Sequence, residues 1–389
     1  MSVDERYVEF GLRLGRHIDG LVDAYYGDPG VQERIDAEAL SDPASLAEDA
    51  AWLVAELDGL ETQRRRWLHA QLVGLETVAR KLTGEEFAFG DEVERCYGVR
   101  PRRTPEDEID SAHAGLDAAL PGAGSLAERY QHWREAQTVP KARLGAVLSD
   151  IVEELRARTR ELVGLPEGES YELQLVTNEP WAAYNYYEGS LRSRIAVNTD
   201  VPMATNFLTE LMAHELYPGH QTEHAWKEQL LYREGSQAES SVLMIGTPDS
   251  LIAEGIAGLA SSMVLENEEA FAGEVLGRHG IDYDAELARA VKAVRRPLAR
   301  ASDNAAMMLY EDGATEDEAL EYLKDRALMS DRRASQAMKF IVDPIWRSYV
   351  TTYEDGYEVC KTWVDGDPAR FRRLLTEQLT PADLRSAAR

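Results

Sequence analysis

The sequence predicts a mainly α chain interrupted by one small β-sheet of about three strands. Two observations carry this. Apolar residues recur at three- and four-residue spacing along most of the chain, and only the stretch 170–198 alternates instead. A third observation bears on function: three of the eight histidines fall within "LMAHELYPGHQTEH", Leu211 to His224.

With 389 residues and 44% hydrophobic content, the chain can bury a large core. We read 1–165 as an N-terminal helical region. Residues 166–389 carry the sheet, the histidines and further helices, and the two regions are expected to form one compact unit. In "LAEDAAWLVAELDGL" the apolar residues Leu46, Trp52, Leu53, Leu57 and Leu60 mark a helix. The density of Gly, Pro and charge near 84–105 and 120–125 predicts loops. "RLGAVLSDIVEELRARTRELVGL" then reads as a long helix ending at Gly164. "YELQLVTN", "WAAYNYYEG" and "SRIAVNT" read as three short strands in an antiparallel meander, with turns at Asn178-Glu179-Pro180 and Gly189-Ser190. From about 202 helices resume. Pro202 suits a first helical turn, with Thr199 and Asp200 near the cap.

The net charge of −28 argues against nucleic acid, whose phosphates such a surface repels. No apolar run approaches the roughly 18 residues that a membrane span needs. "MSVDERYVEFGLRLGRHIDG" lacks the apolar stretch of a signal peptide, so a cytoplasmic location is expected. Cys96 and Cys360 are too few for a disulfide framework and are expected to be buried thiols.

"HELYPGH" begins like the zinc motif H-E-x-x-H, in which two histidines four apart share a helix face and meet one metal. Here Pro218 stands where the second His is due, and His220 follows two residues later. On an ideal helix, residues six apart face about 240° away from each other. Proline removes a backbone hydrogen bond and clashes with the carbonyl four residues back, and Gly219 adds conformational freedom. A widened turn can therefore bring His220 back to His214. A rival pairing is His220 with His224, four apart. An open catalytic zinc site needs a third ligand. Glu239, Asp249 and Glu254 are candidates, and Glu254 is preferred, because "SLIAEGIAGLASSM" is apolar nearly all round and a buried carboxylate there needs a partner. Gly255, Ala257 and Gly258 would let this helix approach the histidine helix closely.

"HELYPGH" followed by "AEGIAG" resembles the H-E-x-x-P-G-H … E-G-x-A pattern of the domain of unknown function 885 family, over roughly 170–260. Those proteins are distantly similar to zinc carboxypeptidases and other gluzincins. Ile256 stands where the family often has an aromatic, and Tyr353 and Gly356 fit its C-terminal Tyr-x-x-Gly. The resemblance implies a large helical zincin-like architecture with the small sheet beside the metal helix. It implies one Zn²⁺ per chain on His214, His220 and Glu254, with Glu215 as general base toward a zinc-bound water. The expected activity is a carboxypeptidase-like metallopeptidase acting on peptides or small amides. The alternatives are a non-catalytic metal-binding scaffold and a helical binding protein without metal. Tyr353, then Tyr349 and Arg347, are candidates to stabilise the oxyanion. Asn185, Tyr186 and Tyr187 on the middle strand are candidates to hold substrate backbone, and Arg332 or Arg333 to receive a substrate carboxylate.

Overall fold

The apolar spacing read from the sequence is realised as helices along most of the chain. The computed structural model describes residues 1–179 and 181–387, and its described residues include five short strands. These are β1 (Val22–Tyr25), β2 (Ser170–Val176), β3 (Ala183–Gly189), β4 (Arg192–Asn198) and β5 (Val242–Met244). Of the expected turn Asn178-Glu179-Pro180, Pro180 lies outside the described residues. Four apolar cores build the interior, and each draws on side chains from before and after residue 165. No described helix is long and apolar enough to cross a membrane.

The sheet over 170–198 is mixed, which corrects the antiparallel meander. Its order is β2-β4-β3, with β2 parallel to β4 and β3 antiparallel to it. Burial explains the order. β4 carries Ile195, Ala196 and Val197, all fully buried, and takes the centre, while β2 and β3 are half-buried and take the edges. The β3–β4 turn falls at Ser190-Leu191, one residue later than expected, and both adopt positive φ (56° and 59°), as a tight two-residue hairpin requires. The Glu228 carboxylate accepts both of their N–H groups at 3.1 Å and also the Tyr187 hydroxyl.

A second, two-stranded sheet has no counterpart in the sequence reading. β1 pairs antiparallel with β5, joining segments about 220 residues apart. The expected loop at 84–105 also contains a helix, Phe89–Tyr97, whose Phe89, Val93, Cys96 and Tyr97 are buried. The loop at 120–125 and the long helix Lys141–Leu162, followed by Gly164 at φ +74°, agree with expectation. Cys96 and Cys360 are free and buried.

Two helices carry the constellation. The histidine helix, Thr205–Glu215, starts three residues after Pro202 and buries Leu208, Met212 and Ala213 against the Lys141–Leu162 helix and β4. The glutamate helix is Pro248–Val264, capped by Thr247. The glutamate helix does pack closely on the histidine helix, as expected, but its two glycines, Gly255 and Gly258, face a different neighbour. A Cβ on Gly255 would lie 2.4 Å from the Gly356 carbonyl oxygen, so this glycine seats the helix against the C-terminal helix Thr352–Val364.

Candidate metal centre

The motif breaks its helix outright instead of widening one turn. The histidine helix stops at Glu215, and a new helix, His220–Lys227, starts at the second His. Between them the Tyr217–Pro218 peptide bond is cis. The Gly219 N–H reaches back to the Ala213 carbonyl at 2.9 Å, and the Thr222 N–H to Leu216 at 3.2 Å. A Cβ on Gly219 would fall 1.9 Å from the His214 carbonyl oxygen, so no larger residue fits this turn. Buried side chains anchor it: the Tyr217 hydroxyl donates to Glu169 at 2.5 Å, and the Gln221 amide donates to the Ser170 and Leu191 carbonyls.

The break brings together what the sequence keeps apart. One ligand atom from each of His214, His220 and Glu254 lies within 4.8 Å of the others. The imidazoles of His214 and His220 stand perpendicular, with centroids 4.8 Å apart. His214 Nε2 is 3.5 Å from Glu254 Oε2. The other Glu254 oxygen accepts the Tyr349 hydroxyl at 2.6 Å, while Oε2 is buried without a hydrogen-bond partner. Burial lowers His214 to about 4 and pushes His220 down as well, with His214 and His224 adding to the effect, so both rings are neutral at physiological pH. Two neutral imidazoles and a buried carboxylate with an unsatisfied oxygen form a donor set that fits zinc.

Glu215 sits beside this group. Burial raises its carboxyl to about 8, followed by the nearby charges of Glu254 and Asp23; Glu254 itself is raised to about 7, mainly by burial. The Asn185 amide donates to the Glu215 backbone carbonyl at 2.6 Å. Asn185 thus braces the end of the histidine helix as well as lining the cleft. It also stands on an edge strand, since β4 occupies the centre.

The cleft in front of these groups measures about 380 Å³. Tyr353, Tyr349 and His224 line it, together with Trp181, Tyr184, Phe340 and Trp346. Several other expected residues are engaged elsewhere. Arg347 is bound to Glu92 at 2.6 Å, which removes it as an oxyanion donor. Tyr187 donates to Glu228, and Tyr186 lies under the Arg194 guanidinium at 4.1 Å. Arg332 and Arg333 are outside the cleft lining. As third-ligand candidates, Glu239 is held by Arg64 at 2.6 Å and Asp249 by Lys227 at 2.9 Å. His224 stacks parallel to His220 at 5.8 Å but is not one of the three converging residues, and its Nδ1 is buried without a partner.

The sequence reading missed Asp23. It lies on β1, lines the cleft, and accepts the Tyr184 hydroxyl from β3. No local pattern announces it, because a four-residue strand is too short to show a period.

No family model and no curated protein matches the chain. Among solved structures it is similar to a candidate lipoprotein from Colwellia psychrerythraea, at 13% identity and a TM-score of 0.53, over 92% of this chain and 69% of that one. It is also similar to a candidate lipoprotein of unknown function from Shewanella oneidensis, at 13% identity and a TM-score of 0.51, over 92% of this chain and 75% of that one. The mainly helical fold is what they share.

Proposed function

We propose that the protein is a zinc-dependent hydrolase of the zincin type that cleaves peptide or small amide bonds. The convergence of His214, His220 and Glu254, with Glu215 beside them, is the observation that supports this reading. Zinc, when bound, supplies Lewis acidity, which activates a water and polarises a carbonyl.

The side chains do the rest. His214, His220 and Glu254 would hold the ion, and Tyr349 fixes the Glu254 carboxylate from behind. With the charge of the ion holding its carboxyl ionised, Glu215 would take the proton of the attacking water and deliver it to the departing nitrogen. The Asn185 bond to the Glu215 carbonyl keeps that helix end in place. The Tyr353 side chain is about half exposed and lines the cleft; desolvation of its hydroxyl and the nearby Glu254 keep that hydroxyl protonated, and it is the donor for the developing oxyanion. β3 has β4 on one side only in its sheet and supplies Ala183, Tyr184 and Asn185 to the cleft. An extended substrate would add along this edge.

The test is Glu215→Gln with metal analysis and a peptide-library digest. The variant keeps one zinc per chain and loses hydrolysis by about 10²–10⁴-fold. A zinc-loaded wild type that cleaves no peptide or amide overturns the reading. The candidate lipoproteins that share the fold lend no support to a cytoplasmic location. Fractionation of the native host separates the cytoplasm from a lipid-anchored site.

A further inference from the structure

The charges lining the cleft do not balance. Its ionisable lining consists of the carboxylates of Asp23, Glu215, Asp249 and Glu254 and three histidines, with no Lys or Arg among the described residues. Asp249 is compensated from behind by Lys227, which also binds Glu223. A divalent ion would hold Glu254 and Glu215 in their ionised forms and balance both. Asp23 is then left over. Its one hydrogen bond comes from the uncharged Tyr184 hydroxyl, and no cationic side chain acts on it.

Two further features point to a ligand. His224, 8% exposed, lines the same cleft, and its Nδ1 is buried without a hydrogen-bond partner. Much of the remaining wall is aromatic, beside aliphatic residues such as Leu243 and Ile245: Trp181 and Tyr184 lie 6.0 Å apart, and Phe340, Trp346 and Tyr353 also line the cleft. Aromatic faces attract cations, and a carboxylate beside them completes a site for an ammonium group. An anionic substrate end would meet only like charge.

We infer that Asp23 is a specificity residue that binds a primary ammonium group of the substrate, the free amino terminus of a short peptide or amino-acid amide. This rests on the hydrolase reading for the word substrate, but the binding of an amine can be measured without turnover. On this inference the protein works from the amino end of its substrates, not the carboxyl end that the gluzincin resemblance brings to mind.

The experiment has a binding arm and a turnover arm. Calorimetry on zinc-loaded and metal-free protein compares isopentylamine with isopentanol, neither of which can be hydrolysed. Wild type prefers the amine by about tenfold or more, and Asp23→Asn removes most of that preference while zinc content stays at one per chain. The turnover arm compares kcat/KM for a peptide and its N-acetylated form, and the free form is favoured in wild type alone. Amine preference without cleavage of any peptide sinks the hydrolase reading and leaves this inference standing. Equal binding of amine and alcohol by wild type overturns it without recourse to any variant. So does a preference that survives Asp23→Asn, or a second zinc that Asp23→Asn removes.

Discussion

Two sets of carboxylates in this molecule, one fully buried and one lining the cleft, are treated in opposite ways. Glu92 and Glu239 are both fully buried, and each has its own cations. Glu92 is held by Lys81 and by Arg347 at 2.6 Å, and Glu239 by two nitrogens of the Arg64 guanidinium at 2.6 and 2.7 Å. In the cleft, Glu215, Glu254 and Asp23 have hydroxyl or imidazole neighbours at most. A buried charge without compensation is costly, so a chain that supplies cations at 92 and 239 could have done the same here. The difference is that the chain leaves the cleft carboxylates without cations of its own, and on the proposed reading a metal at Glu254 and an ammonium group at Asp23 would supply them.

Breaking the compensated side gives the largest expected effect. Arg64→Met keeps the apolar stem but leaves Glu239 buried with only uncharged hydrogen-bond donors, chiefly the Gln378 amide. It should cost about 3–5 kcal/mol, read as a fall in the urea midpoint. A loss below 1 kcal/mol would mean that Glu239 finds another cation or water, and the contrast with the cleft would weaken.

The uncompensated side should respond to metal in the opposite sense. Zinc at about a hundredfold its dissociation constant stabilises the wild type by roughly 2.7 kcal/mol through mass action. Chelation reverses this. His220→Ala should abolish the response, since it removes one of three converging ligands, whereas His224→Ala should keep it. Equal loss in the two variants would favour the rival pairing of His220 with His224.

How much of this was readable beforehand follows from the range of each interaction. Local apolar spacing over 46–60 and 143–164 marks the helices realised as Pro43–Ala55 and Lys141–Leu162, and the metal residues follow from a motif spanning 41 positions. Pro218-Gly219 was read as a widened turn because sequence shows that a helix is disturbed and not how far. The contacts that make Gly219 obligatory, at the His214 and Ala213 carbonyls, exist only once the helix has stopped. Long-range pairing was not readable. β4 inserts between β2 and β3, and β1 finds β5 across the chain, so the sheet order and Asp23 both stayed hidden. Nothing local to Tyr349 indicates that its hydroxyl meets a carboxylate 95 residues earlier.

The smallest expected effect has the most informative sign. In metal-free protein, Glu254→Gln should stabilise, by about 1 kcal/mol, because it removes a buried charge that no cation offsets. The pH dependence follows from the raised carboxyl. The folded group titrates near 7, against 4.5 for the ordinary value. Below 4.5 both folded and unfolded wild type carry the proton, and the variant gains nothing. Between 4.5 and 7 the unfolded state releases the proton while the folded state holds it, so wild-type stability falls with rising pH. Above 7 the folded carboxylate is ionised and the gain of the variant is complete. The gain is kept modest by water, which a cleft of about 380 Å³ admits. Glu239→Gln, measured in parallel, should lose stability at neutral pH, because there the charge is wanted by Arg64. Opposite signs for the same substitution at two buried glutamates would establish that one is structural and the other reserved for a metal. Matching signs would remove that distinction.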